Sequence, residues 1–215
     1  MTRYGTGTLT LIFLFPAIFS IGAYMTDKQS LLICAGISWL FFIFSCYFFR
    51  DPRRVIPEGE GVVVSPADGK IIDISRNHEH SYFDQKVTKI SIFLSIFDVH
   101  INRIPMSGKV TCFDYQHGRF TPAFRSTASS ENEHTLIGIE NDSTKLLFKQ
   151  IAGILARRIV CDVRAGHTVH AGEKFGMIKF GSRVDIFIPE NIDINVTLNQ
   201  RVKAGETVIG HIKEK

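Results

Sequence analysis

Lys179-Phe-Gly-Ser-Arg-Val-Asp-Ile-Phe-Ile-Pro189 says two things at once. Val184, Ile186 and Ile188 alternate with Arg183, Asp185 and Phe187, so the segment reads as a β-strand that opens on the dipeptide Gly181-Ser182. Glycine before serine permits a strained backbone and leaves its carbonyl open to attack. A serine hydroxyl that attacks the preceding carbonyl exchanges an amide for an ester. Elimination across Cα and Cβ then leaves dehydroalanine, and hydrolysis leaves a pyruvoyl group, an electrophile that no ordinary side chain supplies. Gly-Ser alone is common and usually marks a turn, so the rest of the chain must carry the argument.

Outward from this strand, short apolar runs broken by turn residues recur at Gly61 to Ser65, Lys70 to Ile74, Lys86 to Phe97, Gly108 to Tyr115, Leu136 to Ile139, Lys145 to Ala152 and Arg158 to Val163. Their Val, Ile and Phe content predicts a mainly β (α+β) domain, with one short helix near Ile151 to Arg158. The last part of the chain echoes itself. Val169-His-Ala-Gly-Glu173 precedes Gly176-Met-Ile178, and Val202-Lys-Ala-Gly-Glu206 precedes Gly210-His-Ile212. Such a repeat resembles the units of barrel-sandwich domains, the fold of biotinyl and lipoyl carriers, and Gly61 to Ile71 has the same character. A β-sandwich or barrel-sandwich-like scaffold with the reactive dipeptide between the two echoes is therefore expected.

Before residue 50 the character changes. Gly7 to Met25 and Leu31 to Phe49 are each long and apolar enough to cross a hydrocarbon core, and Thr26-Asp-Lys-Gln-Ser30 joins them. They predict an N-terminal hydrophobic helical hairpin over residues 1–54 and a catalytic domain over 55–215, with Pro16 as a possible kink. No small-residue cleavage site precedes Met25 and a second span follows, so a secretory signal is disfavoured. Arg3 precedes the first stretch and Arg50, Arg53 and Arg54 follow the second, which predicts both ends on the cytoplasmic side of the cell membrane. A net charge of +4 with histidine neutral is too mild to imply nucleic acid; an anionic lipid surface fits better. Cys34, Cys46, Cys112 and Cys161 are scattered and form no disulfide framework.

The reaction sketched above needs a base for the hydroxyl, a donor for the oxyanion and a group that moves protons. In Ser95-Ile-Phe-Asp-Val-His-Ile-Asn-Arg-Ile-Pro105, Asp98, His100 and Asn102 alternate with apolar neighbours and would share one face of a strand. A carboxylate beside His100 would hold it in one tautomer and keep it basic. Asp68, in Ser65-Pro-Ala-Asp-Gly69, either orients that histidine or caps its own turn. Metal binding is the rival use of eight histidines, but His78-Glu-His80 and His167-Thr-Val-His170 match no zinc pattern, so no metal is expected. No Walker-type loop or Gly-x-Gly-x-x-Gly is present either.

Four separated pieces, in order, resemble the phosphatidylserine decarboxylase family, and within it the short, membrane-associated subgroup of proenzymes: Ser-Pro-Ala-Asp68-Gly, Phe-Asp-Val-His100-Ile-Asn-Arg, Ile-Ala-Gly-Ile-Leu-Ala-Arg-Arg-Ile-Val-Cys161, and Phe-Gly181-Ser182-Arg-Val-Asp. The resemblance implies self-cleavage at Gly181-Ser182 into a β subunit of residues 1–181 and an α subunit of residues 182–215 that begins with pyruvate made from Ser182. The implied reaction is that of a pyruvoyl-dependent carboxy-lyase. The ketone condenses with the amine of phosphatidylserine in the membrane, takes up electrons as CO2 leaves, and phosphatidylethanolamine is released. Ser182, His100, Asp68 and Asp98 are then the catalytic candidates. Longer members carry a second histidine where this chain has Arg103, and relatives often carry arginine where it has His134, so Arg103 and His134 are candidates for substrate contacts. The two fragments should stay together as a heterodimer, open to further association. A different reading is a membrane-anchored barrel-sandwich adaptor or carrier without chemistry, for which Lys179 beside Gly-Ser is poorly placed.

Overall fold

The apolar runs near the N-terminus form helix α1 (Thr6–Thr26) and helix α2 (Gln29–Phe48) in the computed structural model, which describes residues 1–154, 158–179 and 181–213. Both are long and apolar enough to cross a membrane. Asp27 closes α1 in the left-handed region, with φ of 51°, and its N–H bonds to the Ala23 carbonyl. Pro16 lies inside α1, which continues through it. Phe13 meets Trp39 edge-on at 5.9 Å and Phe42 at 5.4 Å, and Trp39 Nε1 donates to Ser20 Oγ at 3.3 Å, so the pair is joined by rings more than by polar contacts. Leu11, Ile18 and Leu40 remain exposed, as side chains that face lipid would. The chain divides into two compact units, Met1–Pro52 and Arg53–Lys215.

The second unit is mainly β. It begins with β1 (Val62–Val64), β2 (Gly69–His78), β3 (Val87–Leu94), β4 (Ile101–Arg103) and β5 (Gly108–Gln116). After a one-turn helix α3 (Ala128–Glu131) come β6 (His134–Glu140), β7 (Lys145–Ile151), β8 (Ile159–Cys161), β9 (Thr168–Val169) and β10 (Lys174–Ile178). β11 (Ser182–Pro189), β12 (Ile192–Ile194), β13 (Arg201–Val202) and β14 (Val208–Ile212) complete it. Among the described residues, eight strands make one antiparallel sheet in the order β13-β2-β3-β11-β7-β6-β5-β9, and two three-stranded sheets have the orders β4-β10-β8 and β1-β14-β12.

Ser182–Pro189 form β11, a central strand of the large sheet. Val184 faces Ile92 on β3 and Gln150 on β7, and Ile186 faces Ile90 and Phe148. On one side Val184, Ile186 and Ile188 enter the main core with Ile90, Ile92, Ile137 and Phe148. On the other, Phe187 packs with Phe83, Val87 and Leu147. Each such side chain contributes about 1.5–3 kcal/mol when fully withdrawn from water, so β11 is anchored on both faces.

The sequence echo is also a structural one. β9 and β13 each end on valine, and the turns that follow place Gly172 at φ 77° and Gly205 at φ 75°. Gly172 N–H donates to the Ile104 carbonyl and Gly205 N–H to the Ser65 carbonyl, both at 2.8 Å. Glycine is required because side chains resist this left-handed conformation.

Two expectations meet a different outcome. Ile151 completes β7, and Ala152 to Ile154 are not helical; residues 155–157 of the expected short helix lie outside the described residues. The Ser95–Pro105 stretch is not one strand. β3 ends at Leu94, residues 95–98 turn, and pairing resumes only at Ile101, because the Asp98 carboxylate binds the Ser95 N–H and Oγ at 2.9 and 2.8 Å and closes that turn.

Candidate active site

Ser182 is the first residue of β11, paired with Leu94, while β10 belongs to a different sheet. The Gly181-Ser182 bond therefore sits where the chain passes from the β4-β10-β8 sheet into the large one. Gly181 has φ of 43°, in the left-handed region. Ser182 is wholly buried, and its Oγ has no hydrogen-bond partner among the described residues. A buried hydroxyl normally finds a partner, because leaving it without one costs about 1–3 kcal/mol. An orphaned hydroxyl next to a carbonyl on a left-handed glycine suits intramolecular attack.

His100 is also wholly buried, just ahead of β4. Ile101 pairs with Met177, so stepping back to His100 moves along β10 toward Gly181. Its Nδ1 lies 2.9 Å from the Asp98 main-chain carbonyl. A carbonyl only accepts, so Nδ1 carries the proton, and in the neutral ring Nε2 is the basic nitrogen. The tautomer is thus set by the backbone of Asp98 and not by a carboxylate.

Asp98 spends its carboxylate on Ser95 and on Arg201, with which it makes a short ion pair. Asp68 accepts two bonds from Arg54 Nη2, at 2.7 and 2.9 Å, and one from the Ala204 N–H at 2.8 Å. Burial nevertheless raises its pKa, outweighing Ala204 and Arg54, with the negative charge of Asp98 adding to the rise. Arg54 also binds Glu206 at 3.1 Å, so this arginine after the second apolar stretch is engaged within its own domain and not held out toward lipid.

The other two candidates stand apart. Arg103 is buried on β4 and donates to the Gly172 carbonyl at 2.7 Å, close to the Gly205 turn. His134 opens β6 in the large sheet, its Nδ1–H donating to the Asn132 carbonyl at 2.7 Å, and burial lowers its pKa. The two lie on strands of different sheets. His78 and His80 pack their rings 5.4 and 5.0 Å from Phe187, and among the described residues no cluster of His, Cys, Asp and Glu could hold a metal ion. Lys179 is half-buried and its pKa is lowered, first by burial and then by Arg158.

Sequence reading missed three buried polar arrangements. Thr135 Oγ1 donates to Gln150 Oε1 at 2.9 Å, and Gln150 Nε2 donates to Asn102 Oδ1 at 2.8 Å, tying the large sheet to β4. Arg183 binds Asp185 and Ser91 Oγ, and Ser129 Oγ donates to Asp185 at 2.6 Å. Asn132 uses its whole amide: Nδ2 donates to the Thr121 and Ala152 carbonyls at 2.8 and 2.7 Å, and Oδ1 accepts from Thr121 N–H and Oγ1. Polar residues inside otherwise apolar strand runs, as at Gln150 and Asp185, were the available signal.

Residues 41–210 match the sequence profile of a family described as phosphatidylserine decarboxylase. The chain is 43% identical over 210 residues to a phosphatidylserine decarboxylase proenzyme of Prosthecochloris aestuarii, covering 98% of this chain and 96% of that one. It is 49% identical over 194 residues to a proenzyme of the same description from Carboxydothermus hydrogenoformans, covering 90% and 89%. With that of Syntrophus aciditrophicus it shares 48% over 169 residues, covering 78% and 79%.

Proposed function

The chain belongs to the phosphatidylserine decarboxylase family and is a carboxy-lyase of that kind, and from this premise we propose that it is made as a proenzyme that cuts itself between Gly181 and Ser182. The observation that carries the reading is the buried Ser182 Oγ, unpartnered among the described residues, beside the left-handed Gly181. Ser182 Oγ adds to the Gly181 carbonyl carbon while His100 Nε2 takes the hydroxyl proton. The tetrahedral centre collapses with loss of the Ser182 nitrogen, which is reprotonated, and an ester results. Loss of the Ser182 α-proton and expulsion of the Gly181 carboxylate leave dehydroalanine, and water then releases ammonia to leave a pyruvoyl group at the head of the 182–215 α fragment.

The residues present fit this group: it needs a serine at a chain position that can be cut without dismantling the fold, and a glycine carbonyl free to become the leaving carboxylate. When in place, the pyruvoyl group supplies a ketone that condenses with the amine of phosphatidylserine and draws in the electrons freed as CO2 departs. His100, fixed by the Asp98 carbonyl, moves the protons, while Asp68, taken up by Arg54 and the Ala204 N–H, holds the segment after the cut against the turn ahead of β2. Asp98 holds the turn that positions His100 and, through Arg201, ties the α fragment to the β fragment. His134 and Arg103 each bind a main-chain carbonyl, and any substrate contact of theirs would add to those bonds.

The fragments should remain a heterodimer, since β11 lies between β3 and β7, β13 pairs with β2 and β14 lies between β1 and β12. The two apolar helices fit membrane association, and the arginines at positions 3, 50 and 53 favour the cytoplasmic side for residues 55–215. Denaturing gels and intact-mass measurement of the purified protein should give two chains, the smaller one blocked to Edman degradation. Ser182→Ala should stay a single chain and release no CO2 from phosphatidylserine vesicles. An uncut wild-type chain that still decarboxylates would overturn the proposal.

A further inference from the structure

Ile151 on β7 pairs with Arg183 on β11, and continuing that antiparallel register sets Ala152 beside Ser182 and Gly153 beside Gly181. A Cβ placed on Gly153 would stand 2.0 Å from the Gly181 carbonyl oxygen and 3.1 Å from its carbon. Carbon and carbonyl oxygen approach no closer than about 3.3 Å in ordinary contact, so that oxygen occupies the space where a side chain would begin. The oxygen is the one that must take the negative charge if Ser182 attacks.

The wall around Gly153 is held from behind. Ala152 N–H donates to the Glu133 carbonyl at 2.9 Å, and the Ala152 carbonyl accepts from Asn132 Nδ2 at 2.7 Å. Asn132 is itself buried and fixed by Thr121 on both ends of its amide. Ala123 Cβ closes another side, 3.3 Å from the same imaginary Cβ. With β7 locked to β11 and Ala152 held at both its polar atoms, a methyl group at 153 cannot be absorbed by retreat of its own backbone. The scissile carbonyl has to move.

Resting on the self-cleavage reading, we propose that Gly153 is a positioning residue for that cut: its bare Cα, braced by Asn132, seats the Gly181 carbonyl in the orientation that Ser182 Oγ attacks. The role precedes ester formation, in which Oγ bonds to the Gly181 carbon, the C–N bond breaks and the Ser182 nitrogen receives the proton.

The test follows the cut in full-length protein, made by pulsed synthesis into detergent, with gels and intact mass read over time. Gly153→Ala should be cut at least ten times more slowly than wild type, while keeping the near-ultraviolet circular dichroism and the Tm of the uncut Ser182→Ala protein. Hydroxylamine, which splits esters but not amides, should not cut it at 181/182. Asn132→Asp adds no atoms, yet it removes the donors to Ala152 and Thr121, and it should also slow the cut. Gly153→Ala cut at the wild-type rate would sink the proposal, as would hydroxylamine cleavage of the stalled protein, because the ester would then have formed normally. If Gly153→Ala does not fold, Asn132→Asp decides, and a wild-type rate there overturns the role. A wild-type protein that is never cut instead refutes the self-cleavage reading on which this rests.

Discussion

Arg54 and Asp68 show how a single pair can link charge, stability and pH. Both side chains are nearly buried, and removing one partner of a buried pair leaves the other charge uncompensated, at a cost on the order of 3 kcal/mol. Burial already raises the Asp68 pKa, so the folded state favours its protonated form more than the unfolded chain does, and this residue's contribution is full in acid and falls as pH rises through its folded pKa. Arg54→Ala should push that pKa further up. Melted in the Ser182→Ala background so that one chain is observed, the variant should be markedly less stable than its parent at neutral pH. The gap should close toward about pH 4, near the ordinary carboxylate range. A gap independent of pH would mean that Arg54 acts through packing alone.

Among the elements, β7 and β4 are joined by the Thr135–Gln150–Asn102 chain of hydrogen bonds, which crosses between two sheets inside the core. Gln150→Leu keeps the volume but leaves the Thr135 hydroxyl and the Asn102 carbonyl oxygen without these partners. Each orphaned group costs about 1–3 kcal/mol, and the loss should appear as a lowered denaturant midpoint with an unchanged slope. The strands themselves were legible from the chain, since runs of Val, Ile and Phe between turn residues mark β2, β3, β5, β6, β7 and β11, and the repeated Val-x-Ala-Gly-Glu marks two matching turns. Gln150, Asn132 and Gly153 were not legible as functional positions. Their partners are set by which strand lies beside which, and a register such as Ile151 against Arg183 is a long-range fact that local periodicity does not contain. The break at residues 95–98 was missed for the opposite reason: a local Asp98-to-Ser95 bond overrode an alternating pattern that looked like continuous strand.

For the whole molecule, the hairpin was the most legible part, because two stretches of apolar residues joined by a short polar link leave few alternatives. Gly181-Ser182 suggested a chemistry in the chain but not a place. Only the structure puts it at the passage between two sheets, with Arg201 and Glu206, which follow it in the chain, paired to Asp98 and Arg54, which precede it. Size-exclusion chromatography of the cut protein should therefore return both pieces in a single peak, in high salt as in low. The two ion pairs, each with one partly exposed partner, matter less to that result than the three strands flanked on both sides or at an edge by the larger piece. Separation should require denaturant.

The central seat of β11 also bears on how long one such molecule can serve. On the proposed cut, its catalytic end would be created inside a finished wall, so every copy would be built before it is armed, and armed once. A copy stripped of its short piece would expose raw strand edges on β3 and β7, an invitation to clump with its neighbours, and no fresh replacement could slip in carrying the same warhead. Renewal of the activity would then depend on new synthesis rather than repair.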